Sequence, residues 1–298
     1  MILYNGASGG LGQYLASSLS HQYEASYALK ARLEDQSGLM SELSSLDPKG
    51  AVTFIHLAAR VSVPDCESNP SAARITNVVS ARKATETVVS WALERGASVK
   101  VIYVSSGHVY ATQRVGARLT EDAQLGPRSV YAHTKWAAEE EMLALASERA
   151  VPLLIARVFG LLAPRQAPNY VLPSLIERVK KRELDRIPGL DFARDYLDAR
   201  DVCENLLLLG SVPWPGASVL VNVCSGVPVT IRDLLRAVLH VLDPADADRT
   251  ARRATAAPGR LDDVRWLVGD PGAFQRLTGS LPQRIPLSKT VADAVAEA

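Results

Sequence analysis

The chain has 298 residues, 47% hydrophobic and 22% charged, enough for a sizeable core and for two small domains or one α/β unit with an appended lobe. A formal net charge of +1 excludes a dedicated nucleic-acid or polyanion binder. Cys66, Cys203 and Cys224 are widely spaced and form no C-x-x-C, so they read as thiols of a reducing compartment, not as a disulfide frame or zinc site. No apolar run reaches the ~18 residues of a membrane span, and a strand starting at residue 1 leaves no room for a signal peptide. The cytoplasm is the expected location, with no membrane partner.

In chain order the strands are "MILYN", "EASYAL", "VTFIHLA", "KVIYVSS" and "PLLIARVF". Between them lie helical patterns at Leu11–His21, Gly38–Leu46, Ser71–Arg95 and Val130–Arg149. Apolar strands alternating with helices predict a doubly wound parallel sheet covered on both faces. After Arg157 the pattern loosens around Pro164, Pro168, Pro173 and Pro188, with a helix expected over Pro173–Arg182. "VLVNVCS" reads as a further sheet strand, and Thr230 as the N-cap of the helix "IRDLLRAVLHVL". "DPADADRTARRATAAPGR" reads as a polar connector, and an amphipathic helix begins at Leu287. The expected division is a dinucleotide-binding domain over 1–157 and a substrate-binding lobe over 158–298, with about 198–225 returning to the first domain.

Two motifs carry chemistry. "NGASGGLG" sets Gly6, Gly9 and Gly12 between a first strand and a first helix. Such a turn brings backbone N–H groups and a helix N-terminus to a pyrophosphate. In "SVYAHTKWAAEEE", Tyr131 and Lys135 share one helix face. A nearby ammonium favours the phenolate and so lowers a phenol pKa that is ordinarily near 10. Tyr-x-x-x-Lys alone is common on helix surfaces. The glycine turn, the strand-end serines of "YVSSGHVY" and this pair, in that order, are together specific.

These motifs resemble the extended short-chain dehydrogenase/reductases that modify nucleotide sugars, and the likeness runs through "FIHLAA", Asn77, "RVFGLLAP", "RDYLDARDV", "NVCSG" and "PGRLDDV". "RDYLDARDV", "NVCSG" and "VGDPGAFQRLTG" are most similar to the branch that reduces GDP-4-keto-6-deoxy-D-mannose. The resemblance implies a Rossmann-type sheet with a smaller C-terminal lobe. It implies Ser106, Tyr131 and Lys135 as catalytic residues, with Ser105 beside the first. Cofactor contacts then fall on Gly6, Ser8, Gly9, Gly10, Leu11, Gly12, Leu57, Ala58, Ala59, Tyr131 and Lys135. Ser106, His108, Tyr131, Arg194, Arg200 and Arg260 would face the nucleotide sugar, arginine being suited to a diphosphate. Trp91 and Trp136 mark helices 71–95 and 130–149 as a homodimer interface, whereas Glu139–Glu141 and Lys180–Arg182 read as solvated faces.

The sequence also departs from relatives of this type. Gly107 and His108 stand where dehydratases carry an acidic pair, and no second histidine near "GLLAPR" partners His108 for epimerisation. Gly160 replaces a substrate-contacting asparagine and Leu162 a tyrosine. The acid that grips an adenosine ribose is expected about 20 residues past the glycine turn. Lys30 and Arg32 occupy that place, with Asp35 on the adenine side, so NADP is the expected cofactor and NAD the alternative. The expected activity is reduction of a nucleotide-linked 4-keto-6-deoxy sugar. An NAD-retaining 4-epimerase is the first alternative and a non-catalytic nucleotide-binding protein the second.

Overall fold

Short apolar strands and helices alternate through the first half of the chain. They are β1 (Ile2–Asn5), α1 (Gly10–Gln22), β2 (Ser26–Leu29), α2 (Gln36–Ser44), β3 (Ala51–His56), α3 (Val63–Ser68), α4 (Pro70–Arg74), α5 (Ala81–Glu94), β4 (Ser98–Ser106), α6 (Val130–Arg149) and β5 (Leu153–Val158). There follow β6 (Gly160–Leu162), α7 (Val171–Lys181), β7 (Ile187–Pro188), β8 (Ala193–Asp198), α8 (Ala199–Ser211), β9 (Ser218–Val223), β10 (Pro228–Thr230) and α9 (Ile231–Leu242). The chain ends with α10 (Ala247–Arg253), β11 (Ala256–Ala257), β12 (Trp266–Leu267), α11 (Gly272–Thr278) and α12 (Leu287–Ala296). This computed structural model describes residues 1–22, 25–258 and 264–298.

Six strands form one parallel sheet in the order β2-β1-β3-β4-β5-β9. Alternate side chains point to opposite faces, so a run such as "VIYV" in β4 must serve two cores. On one face Leu3, Phe54, Val101 and Ile155 pack with Leu39 of α2, Val88 of α5 and Met142 of α6. On the other, Tyr4, Ile55, Ile102 and Leu154 pack with Leu15 and Leu19 of α1 and Leu206 of α8. After β2 the chain crosses to the far side of β1 to form β3. That reversal opens a crevice at the carboxyl ends of β1 and β3, where open α/β sheets take their ligands.

The later elements build a second layer. β8 pairs with β6, β10 and β12, and α7, α9, α10 and α12 enclose a separate apolar cluster. Helix α9 begins as the sequence predicts: Thr230 and Asp233 exchange hydrogen bonds in a capping box, an arrangement worth about 1 kcal/mol. Two expectations are corrected here. Within the expected connector the described residues 243–258 are no mere linker, since α10 buries Ala247 and Ala251 in the cluster that also holds Leu234 and Leu235 of α9. The helix expected over 71–95 is interrupted by a π turn at Ile75–Ser80. Trp91 is only 1% exposed, within the sheet-facing core, so it presents nothing to a partner.

Candidate active site

The turn after β1 is closed by geometry that only glycine satisfies. Gly6 has φ +74°, and a Cβ there would lie 2.9 Å from the Ala58 nitrogen. A Cβ at Gly12 would sit 2.1 Å from the Gly6 carbonyl oxygen. Gly9 donates its N–H to that same oxygen at 2.9 Å, whereas Gly10 has open space around it. Ser8 is exposed and Leu11 half-buried at the start of α1.

Two side chains that sequence reasoning missed hold the opposite wall. Asn5 Oδ1 accepts from the backbone N–H groups of Leu57 and Ala58, both at 2.9 Å. This fixes the amide, so Nδ2 donates to His56 Nδ1 at 3.1 Å and leaves His56 Nε2–H to donate to the Ala58 carbonyl at 3.1 Å. The imidazole is therefore neutral. Burial, with Lys135 nearby, pushes its pKa down to about 3. The only sequence signal was the polar residue that closes each of "YN" and "FIH". Asn77, in the π turn, clasps the next peptide: its Oδ1 accepts from Arg60 N at 2.7 Å and its Nδ2 donates to Arg60 O at 2.9 Å. Nδ2 also donates to Thr134 Oγ1 on α6 at 3.0 Å. The loop Leu57–Arg60, including Ala59, is thus pinned on both sides. A crevice walled by glycines and rigid backbone fits a dinucleotide pyrophosphate.

Beyond β2, Lys30 and Arg32 are exposed, and neither side chain pairs with any carboxylate among the described residues. The acids that follow are already engaged. Glu34 accepts from Thr76 at 2.7 Å. Asp35 caps α2, accepting from Gly38 N at 2.9 Å and Ser37 Oγ at 3.0 Å, bonds that lower its pKa.

Ser106 ends β4, and Tyr131 opens α6 within reach of it. The helix starts where it does because Ser129 accepts from Ala132 N at 3.2 Å and Glu67 accepts from Val130 N at 2.7 Å. Burial pushes the Tyr131 phenol up to about 12, while a hydrogen bond with Ser106 pulls the other way. The His108 ring stands edge-on to Tyr131 with centroids 6.3 Å apart. Tyr170, which sequence reasoning missed, lies close enough to raise the phenol further, as does Cys66. Lys135 departs from expectation. Its ammonium donates to the Val104 carbonyl at 2.8 Å and lies 5.0 Å over the Tyr103 ring. Burial lowers its pKa to about 8 against the opposing influence of Glu139.

Further from this cluster, some expectations change. Glu139 is not solvated: it is 3% exposed and accepts from Arg157 Nε at 3.0 Å and Nη2 at 2.6 Å. Arg200, expected on the substrate, is committed to Asp198, at 2.9 Å and 2.7 Å, and to Asp293 of α12 at 2.7 Å. Arg194 is half-buried on β8 and donates to the Ala193 carbonyl at 2.9 Å. Arg260 lies outside the described residues. Gly107 sits under the Phe159 ring, which a Cβ would approach to 2.9 Å. At Gly160 a Cβ would meet the Tyr196 ring at 2.6 Å, so no side chain fits.

A glycine-walled crevice at a sheet reversal, with a half-buried phenol and a buried lysine beside it, is the arrangement of a Rossmann-type NAD(P)-dependent oxidoreductase. The chain belongs to the NAD dependent epimerase/dehydratase family, whose model matches residues 2–218. Among curated proteins it is 27% identical over 279 residues to GDP-6-deoxy-D-mannose reductase of Pseudomonas aeruginosa, covering 88% of this chain and 90% of that one. The solved structure of RMD from Pseudomonas aeruginosa complexed with NADPH is similar at TM-score 0.79 and 26% identity, covering 99% and 98% of the two chains. The fold is shared with UDP-glucose 4-epimerase from Thermotoga maritima at TM-score 0.82 and 19% identity, over 99% and 97%. No helix among the described residues is long and apolar enough to cross a membrane.

Proposed function

We propose that the protein is an NADPH-dependent reductase of a nucleotide-linked 4-keto-6-deoxy sugar, with GDP-4-keto-6-deoxy-D-mannose as the first candidate. The observation that carries this reading is Gly107 beneath Phe159. A dehydratase-type acid has no room there, so the cluster keeps a proton donor without the acid and base that eliminate water. A phenol held at about 12 is fully protonated at neutral pH and suits donation to a keto oxygen. Ser106 steadies that oxygen and the phenolate left behind, and the buried Lys135 supplies the compensating positive charge. The nicotinamide dinucleotide, when bound, supplies the hydride.

Gly6, Gly9 and Gly12 cradle its pyrophosphate, and Leu57–Ala59 form the wall beside it. Unengaged Lys30 and Arg32, with Glu34 and Asp35 both occupied, support a 2′-phosphate over a bare ribose. Arg194 and His108 face the sugar nucleotide in this reading, whereas Arg200 serves the fold. Exposed Ile75, Val79 and Leu143 support dimerisation through the helices at 71–95 and 130–149.

The test is incubation with GDP-4-keto-6-deoxymannose and 4S-deuterated NADPH. One cofactor should be consumed per sugar, faster than with NADH, and deuterium should appear at C4 alone. Solvent deuterium at C3 or C5 would make His108 an epimerising base. Interconversion of hexoses without net cofactor consumption would replace the reductase with an epimerase.

A further inference from the structure

Lys135 and Glu139 stand one helical turn apart on α6, and both are 3% exposed. Among the described residues the ammonium hydrogen-bonds to neutral groups, the Val104 carbonyl and the Tyr103 hydroxyl. Glu139 reaches across the sheet instead. Its Oε1 accepts from the Ser105 hydroxyl and from Arg157 Nε, and its Oε2 accepts from Arg157 Nη2. Ser105 and Arg157 are direct register partners on β4 and β5, so one carboxylate staples two strand ends to the helix. Ser105 is followed at once by Ser106. Arg157 in turn lies 4.7 Å over the Tyr110 ring, and Tyr110 donates to Asn222 on β9 at 2.7 Å.

We propose that Glu139 is a positioning residue that fixes Lys135 as an ammonium and seats the Ser105–Ser106 strand end beneath Tyr131. The inference deepens the reductase reading and rests on it for its kinetic consequence. The physical case is charge balance. Among the described residues this buried layer sets two cations, Lys135 and Arg157, against the carboxylate of Glu139. Among the described residues the titratable groups facing Lys135 are His56 from β3, Cys66 from α3, Tyr103 from β4 and Glu139 from its own helix, with Tyr131 one turn earlier on that helix. His56 is held neutral by its hydrogen bonds, and burial raises the Cys66 thiol and the Tyr103 and Tyr131 phenols. Glu139 is then the anion that favours a charged lysine near neutral pH. Its two oxygens accept from Ser105 and Arg157, and among the described residues neither pairs directly with the Lys135 ammonium, so Glu139 acts on Lys135 through space.

The test follows the Lys135 side chain by lysine Cε carbon NMR of the full-length protein, its resonance identified by loss in Lys135→Arg. In Glu139→Gln the Lys135 titration should fall by about one pH unit or more, the usual effect of removing a close opposite charge. Glu139→Gln combined with Arg157→Met removes the pair together, a change that folded cores commonly tolerate. In that variant the titration should still fall, by less. The alkaline limb of kcat on the keto sugar should move with it, and the melting temperature reports stability separately. A merely structural Glu139 would lower melting temperature and leave the titration in place, which overturns the proposal. If the titration moves while no variant, nor the parent, reduces the keto sugar, the reductase reading fails and the role of Glu139 stands.

Discussion

At the scale of single residues, the site is defined by groups held away from their ordinary protonation. His56 is the clearest, because the Asn5 amide forces its Nδ1 to accept and its Nε2 to donate. Protonation would place a donor against a donor in a buried position. Its pKa falls to about 3 from an ordinary 6.5, chiefly through burial. Between those values the unfolded chain binds a proton that the native state refuses, so stability rises with pH across this window and is lost as pH falls through it. The slope from one such group is about 1.4 kcal/mol per pH unit. Urea unfolding from pH 6.5 down to pH 4 should show this loss. His56→Gln should be less stable at pH 7 but show a shallower decline. Parallel declines in the two proteins would remove His56 as the cause. The same residues show the limit of sequence reasoning. Tyr131 and Ser106 stood out because a strand-end serine followed by Tyr-x-x-x-Lys is a chemical signature, and the structure brings the two within hydrogen-bonding reach. Asn5 and His56 did not stand out, since a polar residue at a strand end is equally often a solvated one.

At the scale of elements, the glycine turn gives a contrast between neighbours. A Cβ at Gly12 would lie 2.1 Å from the Gly6 carbonyl oxygen and 2.6 Å from the Ala7 Cα, both backbone atoms with no freedom to retreat. At Gly10, the first residue of α1, nothing lies within 4 Å. Gly10→Ala should therefore leave stability unchanged or raise it by up to about 1 kcal/mol, because alanine favours helix and restricts the unfolded chain. Gly12→Ala should cost about 1–3 kcal/mol through overpacking and abolish the rise in melting temperature on adding NADPH. Thermal melts with and without NADPH check both, and equal behaviour of the two variants would refute the crowding argument. Element identity was largely legible: α6 runs Val130–Arg149 as the periodicity required. What misled was composition. The alanines of α10 looked like a linker because each buries little area alone, and "EEE" looked solvated although Glu139 turns inward to Arg157.

At the scale of the whole molecule, the relation between the two sheets was least legible, because it depends on one carboxylate joining segments far apart in sequence. Asp195 on β8 is fully buried and accepts from Ser225 N at 2.7 Å, Ser225 Oγ at 2.6 Å, Gly226 N at 2.7 Å and Gly269 N at 3.3 Å. It thereby ties the loop leaving β9, an edge strand of the six-stranded sheet, to the four-stranded sheet built around β8. Asp195→Asn keeps the shape but turns one acceptor oxygen into a donor facing N–H groups. Leaving those donors unpaired should cost about 1–3 kcal/mol. The cost should fall mainly on the second sheet, since β1, β3 and β4 are paired with one another and none of the hydrogen bonds to Asp195 described above comes from them. Amide hydrogen exchange is the measurement that resolves this. In the variant, protection of β8, β10 and β12 should drop by about 10-fold to 100-fold, as 1.4 kcal/mol corresponds to a factor of ten, while β1, β3 and β4 change little. A uniform loss across both sheets would mean that the molecule opens only as a whole and that Asp195 adds to global stability without joining two separable layers.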